Sequence, residues 1–94
     1  MKNLNQKKLV VFDLDGTLAP SKSAMDAEMS QLFIELLAQK RVAVIGGGAY
    51  SLFKMQLLEP LKKAKIKSEL LKRLSLFPTT ATAFYRYDHG WKNV

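Results

Sequence analysis

Two carboxylates, Asp13 and Asp15, stand one residue apart in the run Leu9-Val10-Val11-Phe12-Asp13-Leu14-Asp15-Gly16-Thr17-Leu18. Four apolar residues rich in β-formers lead into them, and a glycine and a threonine follow. Burying a charge is costly unless it is paired or binds a metal. The carboxyl ends of strands in an open α/β sheet are also where ligands bind. Acids at that place point to chemistry rather than to packing.

Three chemistries bring two acids this close. A calcium loop of the EF-hand type needs glycine sixth and glutamate twelfth. Here, counting from Asp13, glycine is fourth and the twelfth residue is Ala24, so that chemistry is rejected. A glycosidase pair works across a sugar ring from about 5 Å or more, usually from separate elements. The third is phosphoryl transfer, in which a carboxylate serves as the covalent nucleophile. A hard divalent cation such as Mg²⁺ would then neutralise the repulsion between carboxylate and phosphate. Residues i and i+2 of a strand point the same way, so Asp13 and Asp15 are expected to serve one site.

The elements that must hold these acids are legible in the pattern. Leu9 to Leu14 is a nearly continuous apolar run, as in a buried parallel strand. Gly16 to Ala24 is a loop, and Met1 to Lys8 a polar lead-in. Asp26 to Gln39 is an amphipathic helix with Met25, Met29, Leu32, Phe33, Leu36 and Leu37 on one face. Asp26 is its N-cap, Glu28 suits its first turn, and Lys40 and Arg41 suit its C-terminal end. Val42-Ala43-Val44-Ile45 is a second short strand, broken by Gly46-Gly47-Gly48. Tyr50 to Leu58 is helical, Pro60 kinks that helix or starts another, and Leu61 to Leu74 is a further helix. Leu76 and Phe77 begin a third strand, stopped by Pro78. Ala83 to Tyr87 and Trp91 to Val94 form a hairpin around Asp88-His89-Gly90. Tyr85 and Trp91 are hairpin packing, and His89 is a solvated turn residue. Strands alternating with helices imply an α/β fold: a partial Rossmann-like parallel sheet with flanking helices and a C-terminal hairpin.

Composition narrows the class. The 94 residues suit one small domain, 48% hydrophobic and 24% charged, with no cysteine for a disulfide or thiolate metal site. No stretch approaches the roughly 20 apolar residues of a membrane span, and a cytoplasmic location is the default. The net charge is +7. Its excess lies in Lys54, Lys62, Lys63, Lys65, Lys67, Lys72 and Arg73, opposed by Glu59 and Glu69. A solvated helix face explains it better than a nucleic-acid patch, because no aromatic residues interleave with these lysines.

With its preceding strand, Asp13-Leu14-Asp15-Gly16-Thr17 resembles the first motif of the haloacid dehalogenase (HAD) superfamily. The resemblance implies that Asp13 is the nucleophile and a magnesium ligand. It implies that Asp15 is the general acid/base and lends its backbone carbonyl to the metal. Val42-Ala43-Val44-Ile45-Gly46-Gly47-Gly48 resembles the second motif, a strand ending in serine or threonine. Gly46 stands where the hydroxyl residue belongs. Gly46 and Gly47 are then the phosphate-binding candidates, with the Gly47 amide as donor and a helix N-terminus following. The same glycines match the dinucleotide fingerprint only as G-x-G, with Ser51 at the third glycine, which is too little. Leu76 to Tyr85 resembles the segment before the mixed α/β cap in the branch of phosphomannomutases and sugar phosphatases.

The resemblance implies one incomplete core domain over residues 1–94. The cap, the phosphate-neutralising lysine and the second acidic pair are expected beyond residue 94. The expected function is a magnesium-dependent phosphatase or phosphomutase acting through an aspartyl-phosphate, on a sugar phosphate. The alternatives are an inactive binding or dimerising module and a basic polyanion binder.

Overall fold

The computed structural model describes residues 9–19 and 23–94. The expected lead-in Met1 to Lys8, and Pro20 of the first loop, lie outside the described residues. Five strands form one sheet in sequence order: β1 (Leu9–Asp13), β2 (Arg41–Ile45), β3 (Leu74–Phe77), β4 (Tyr85–Tyr87) and β5 (Trp91–Asn93). β1, β2 and β3 are parallel, and β4 and β5 return antiparallel as the expected hairpin. The partial parallel sheet, the flanking helices and the hairpin are therefore present.

Helix α1 (Ala27–Leu37) is shorter than the expected Asp26–Gln39. Asp26 caps it, its carboxylate accepting from the Met29 amide at 2.8 Å. Its buried face carries Ser30, Phe33 and Leu37, whereas Leu32 is exposed, against the expectation that it packs. The Lys40 amide donates to the Leu36 carbonyl at 2.8 Å, but Arg41 does not serve the C-terminal end, because it already opens β2. Arg73, 36 residues beyond Leu37, does so instead. Its guanidinium donates to the Leu37 and Ala38 carbonyls at 3.2 Å each.

The second helical stretch is continuous but irregular. It runs as α2 (Tyr50–Phe53), a π-helical turn (Lys54–Leu58) and α3 (Glu59–Lys63). Pro60 neither breaks nor restarts it, since Leu58 and Glu59 keep right-handed helical angles. The expected helix from Leu61 to Leu74 is not one element. It ends at Lys63, turns through Lys65 with φ 62°, resumes as α4 (Ser68–Leu71), and Leu74 already belongs to β3. The Ile66 amide bonds back to the Leu61 carbonyl at 3.1 Å, a left-handed closure usually given to glycine.

Register explains the core. Val10, Val42 and Leu74 are aligned, as are Phe12, Val44 and Leu76. Those two rows share one face, on which Phe33, Leu37, Phe53, Leu57 and Leu61 pack. The opposite face carries Leu9 and Val11, which are 51% and 61% exposed. β1 is therefore not the buried strand expected from its apolar run. Among the described residues it pairs only with β2, and the packed helices cover one face of the sheet.

Candidate active site at the carboxyl edge of the sheet

Asp13, Ile45 and Phe77 end their strands in one aligned row. The three segments leaving that row are joined by backbone hydrogen bonds. The Leu14 amide donates to the Ile45 carbonyl at 3.0 Å, and the Gly46 amide to the Phe77 carbonyl at 3.3 Å. The Thr79 amide donates to the Gly48 carbonyl and the Thr80 amide to the Gly46 carbonyl, both at 2.8 Å. Thr79, Thr80 and Ala81 all take positive φ there, of 52°, 54° and 66°. That unusual run folds the chain after Pro78 back over the glycine turn.

The structure brings Asp13, Asp15, Gly46 and Gly47 to this one edge. The second carboxylate is not placed by strand alternation, because β1 stops at Asp13. Asp15 lies in a turn closed by the Gly16 amide on the Ala19 carbonyl at 2.7 Å. Gly16 permits the turn with φ 79°. Both acids are exposed enough to meet a substrate. Gly46 spends its amide on Phe77, whereas the Gly47 amide has no backbone acceptor among the described residues.

One residue of the site is absent from the sequence motifs. Gln56 is fully buried, and its side-chain amide donates to Asp15 Oδ1 at 2.8 Å and to the Ser23 carbonyl at 2.9 Å. Its own backbone carbonyl accepts from the Met25 amide at 2.9 Å. The available signal was a single amide on an otherwise apolar helix face, three residues after Phe53 and four before Pro60. Pro60 has no N–H to return to the Gln56 carbonyl, which leaves that carbonyl able to accept from Met25.

The metal question turns on the donor set. Asp13 and Asp15 are hard oxygen donors at a solvent-reached edge, which suits a cation such as magnesium that keeps several waters. Among the described residues, no group of three or more His, Cys, Asp or Glu side chains gathers to hold a metal. The two acids thus fit part of a coordination shell.

The basic segment is divided. Arg73 is committed to the end of α1. Lys54, Lys62 and Lys63 line a cleft of about 800 Å³ with Tyr50, Tyr87 and Trp91, aromatics that folding brings to lysines lacking them in sequence. Tyr50 stacks on Tyr85 with centroids 4.3 Å apart, and Trp91 meets Tyr87 edge-on at 5.5 Å. His89 is in an exposed turn beside Asp88. Among the described residues, no helix is long and apolar enough to cross a membrane.

Comparison with known proteins adds the following. No family model matches the chain. Mouse phosphomannomutase 1 is 37% identical over 54 residues, covering 57% of this chain and 21% of that protein. Human phosphomannomutase 1 is 33% identical over 45 residues, or 48% of this chain and 17% of that protein. Among solved structures, IMP-nucleotidase of Plasmodium falciparum superposes with a TM-score of 0.80 at 19% identity, covering 97% of this chain and 24% of that one. A haloacid dehalogenase-like hydrolase from Bacteroides thetaiotaomicron gives 0.66 at 20% identity, covering 93% and 30%. The chain thus spans about a fifth of its curated relatives and about a quarter of its structural neighbours. It has the fold of the haloacid dehalogenase-like hydrolases, in agreement with the resemblance carried by Asp13 to Thr17.

Proposed function

We propose that this chain supplies the nucleophile-bearing part of a magnesium-dependent phosphoric monoester hydrolase or phosphomutase. The observation that carries the proposal is the placement of Asp13 and Asp15 beside the Gly46-Gly47 turn, at the carboxyl edge of a parallel sheet. A sugar phosphate is the proposed substrate class, on the likeness to the phosphomannomutases.

An Asp13 carboxylate oxygen attacks phosphorus, and the bond from phosphorus to the ester oxygen breaks. That oxygen leaves with the bond's electron pair and takes a proton from Asp15. Asp15, now a carboxylate, removes a proton from water as the water attacks the phosphoryl group on Asp13. The acyl phosphate bond breaks, inorganic phosphate leaves, and Asp13 is regenerated. In a phosphomutase, a sugar hydroxyl takes the water's place. The Gly47 amide donates to a phosphoryl oxygen. Magnesium, held by the Asp13 carboxylate and the Asp15 backbone carbonyl, would supply charge neutralisation between nucleophile and phosphate.

The test is hydrolysis of p-nitrophenyl phosphate with and without magnesium. Turnover that requires the metal and disappears in Asp13→Asn supports the proposal. No turnover under either condition overturns catalysis by this chain. A second reading, an inactive self-associating module, is favoured by the exposed Leu9 and Val11 on the sheet face opposite the packed helices.

A further inference from the structure

The strand that presents Asp13 ends there, so Asp15 needs another agent to fix its carboxylate. We propose that Gln56 is that agent: its buried side-chain amide, bridging Asp15 Oδ1 and the Ser23 carbonyl, is the positioning residue for the acid/base. The assignment rests on the phosphoryl-transfer function proposed above.

Three features support it. First, the bridge is non-local, since Gln56 is 41 residues from Asp15 and 33 from Ser23. It therefore reports tertiary placement rather than a helix's habitual contacts. Second, Gln56 is itself immobilised. It is 0% exposed, is packed among core residues, and is tied through its backbone carbonyl to Met25. One residue thereby grips positions 15, 23 and 25, the two ends of the segment between β1 and α1. Third, the helix is deformed where the grip occurs. Lys54–Leu58 is a π-helical turn, a rare feature found disproportionately at functional sites. Burying an amide in a core is unfavourable unless its hydrogen bonds are made, so a purely structural helix gains more from leucine here.

An N–H donor on one carboxylate oxygen restricts the rotation of the group about its Cβ–Cγ bond. Reactivity in proton transfer is geometric before all else, because the carboxyl must reach the ester oxygen at hydrogen-bond distance. Gln56 touches no reacting atom. It acts through Asp15, and its loss should be felt in proportion to how much proton the leaving group needs.

The experiment compares the 94-residue chain with Gln56→Met, which keeps the side-chain volume and removes the donors. Acid-quenched phosphorylation of Asp13 is timed with p-nitrophenyl phosphate, whose leaving group needs little protonation, and with an alkyl phosphate, whose leaving group needs it fully. General acid catalysis contributes about 10²–10⁴-fold, so a misaimed acid should slow the alkyl phosphate by roughly tenfold or more and leave p-nitrophenyl phosphate nearly unchanged. Equal slowing with both substrates overturns the positioning role, as does no slowing with either. A second measurement reads the contact without turnover. The Gln56 side-chain amide protons should be protected from solvent exchange in the unaltered chain and lose that protection in Asp15→Ala. Protection that is indifferent to Asp15 also overturns the assignment. If the contact is present but neither substrate phosphorylates Asp13, the proposed reaction fails. The Gln56–Asp15 bond is then structural only.

Discussion

Gly46 lies against the ring of Phe53: a Cβ on Gly46 would meet Phe53 Cζ at 3.1 Å and Cε1 at 3.2 Å. Phe53 is fully buried and has little freedom to withdraw. The absence of the motif hydroxyl is therefore matched by packing, and Gly46→Ser should not restore it without penalty. Overpacking of this kind costs about 1–3 kcal/mol. Denaturant midpoints should fall for Gly46→Ser and recover in Gly46→Ser with Phe53→Leu, less the cost of the smaller side chain. A midpoint unchanged by the serine alone would show that the ring yields.

The two ends of α1 are held by side chains of opposite charge, each where the helix dipole favours it. Asp26→Ala should cost about 1 kcal/mol, typical of a lost N-cap. Arg73→Ala should cost roughly as much, since the Leu37 and Ala38 carbonyls lose their donor. The two effects should add, because they act at separate sites. Each should lower the melting temperature by roughly 4–8 °C for a domain of this size. A double variant no worse than either single one would contradict independent caps.

Arg73 also illustrates what was legible in the sequence and what was not. Asp13-Leu14-Asp15-Gly16-Thr17 is read locally, and so are the strand before it, the Asp26 cap and the hairpin around Asp88-His89-Gly90. Each rests on neighbours within a few positions. The failures are mostly long-range, and the turn through Lys65 is a local one. Leu61 to Leu74 has helical periodicity, but the turn through Lys65 lacks the glycine that usually marks a left-handed residue. The apolar run of β1 signals burial on both faces, whereas coverage depends on elements distant in sequence. Gln56 is invisible as a site residue because its partners are dozens of positions away. The site's first carboxylate is thus a matter of local pattern, and the orientation of its second is a matter of tertiary structure.

Burial, and then the neighbouring Tyr85, hold the Tyr50 hydroxyl's pKa above the usual 10.0. The folded chain then keeps this proton at a pH where the unfolded chain releases it. Stability from Tyr50 is fully present below pH 10 and is lost as pH rises through its folded value. Tyr50→Phe keeps the ring that stacks on Tyr85 and removes the ionisation. Its denaturant midpoint should decline less between neutral pH and pH 11 than that of the unaltered chain. Identical alkaline slopes would show that Tyr50 does not contribute.

The sheet face opposite the packed helices sets the last expectation. Leu9 and Val11 lie side by side on it, and a parallel sheet is ordinarily covered on both faces. Each such side chain gains about 1.5–3 kcal/mol when fully buried, which favours the pairing of two copies through this face. Among the described residues β1 pairs only with β2, which makes its outer edge a template for a second strand. Light scattering at rising concentration should therefore show association. Val11→Lys should suppress it by placing a charge at the centre of the contact, while leaving the fold intact because the side chain already faces solvent. A monodisperse monomer over the same range, with or without the lysine, would mean that this face does not mediate self-association.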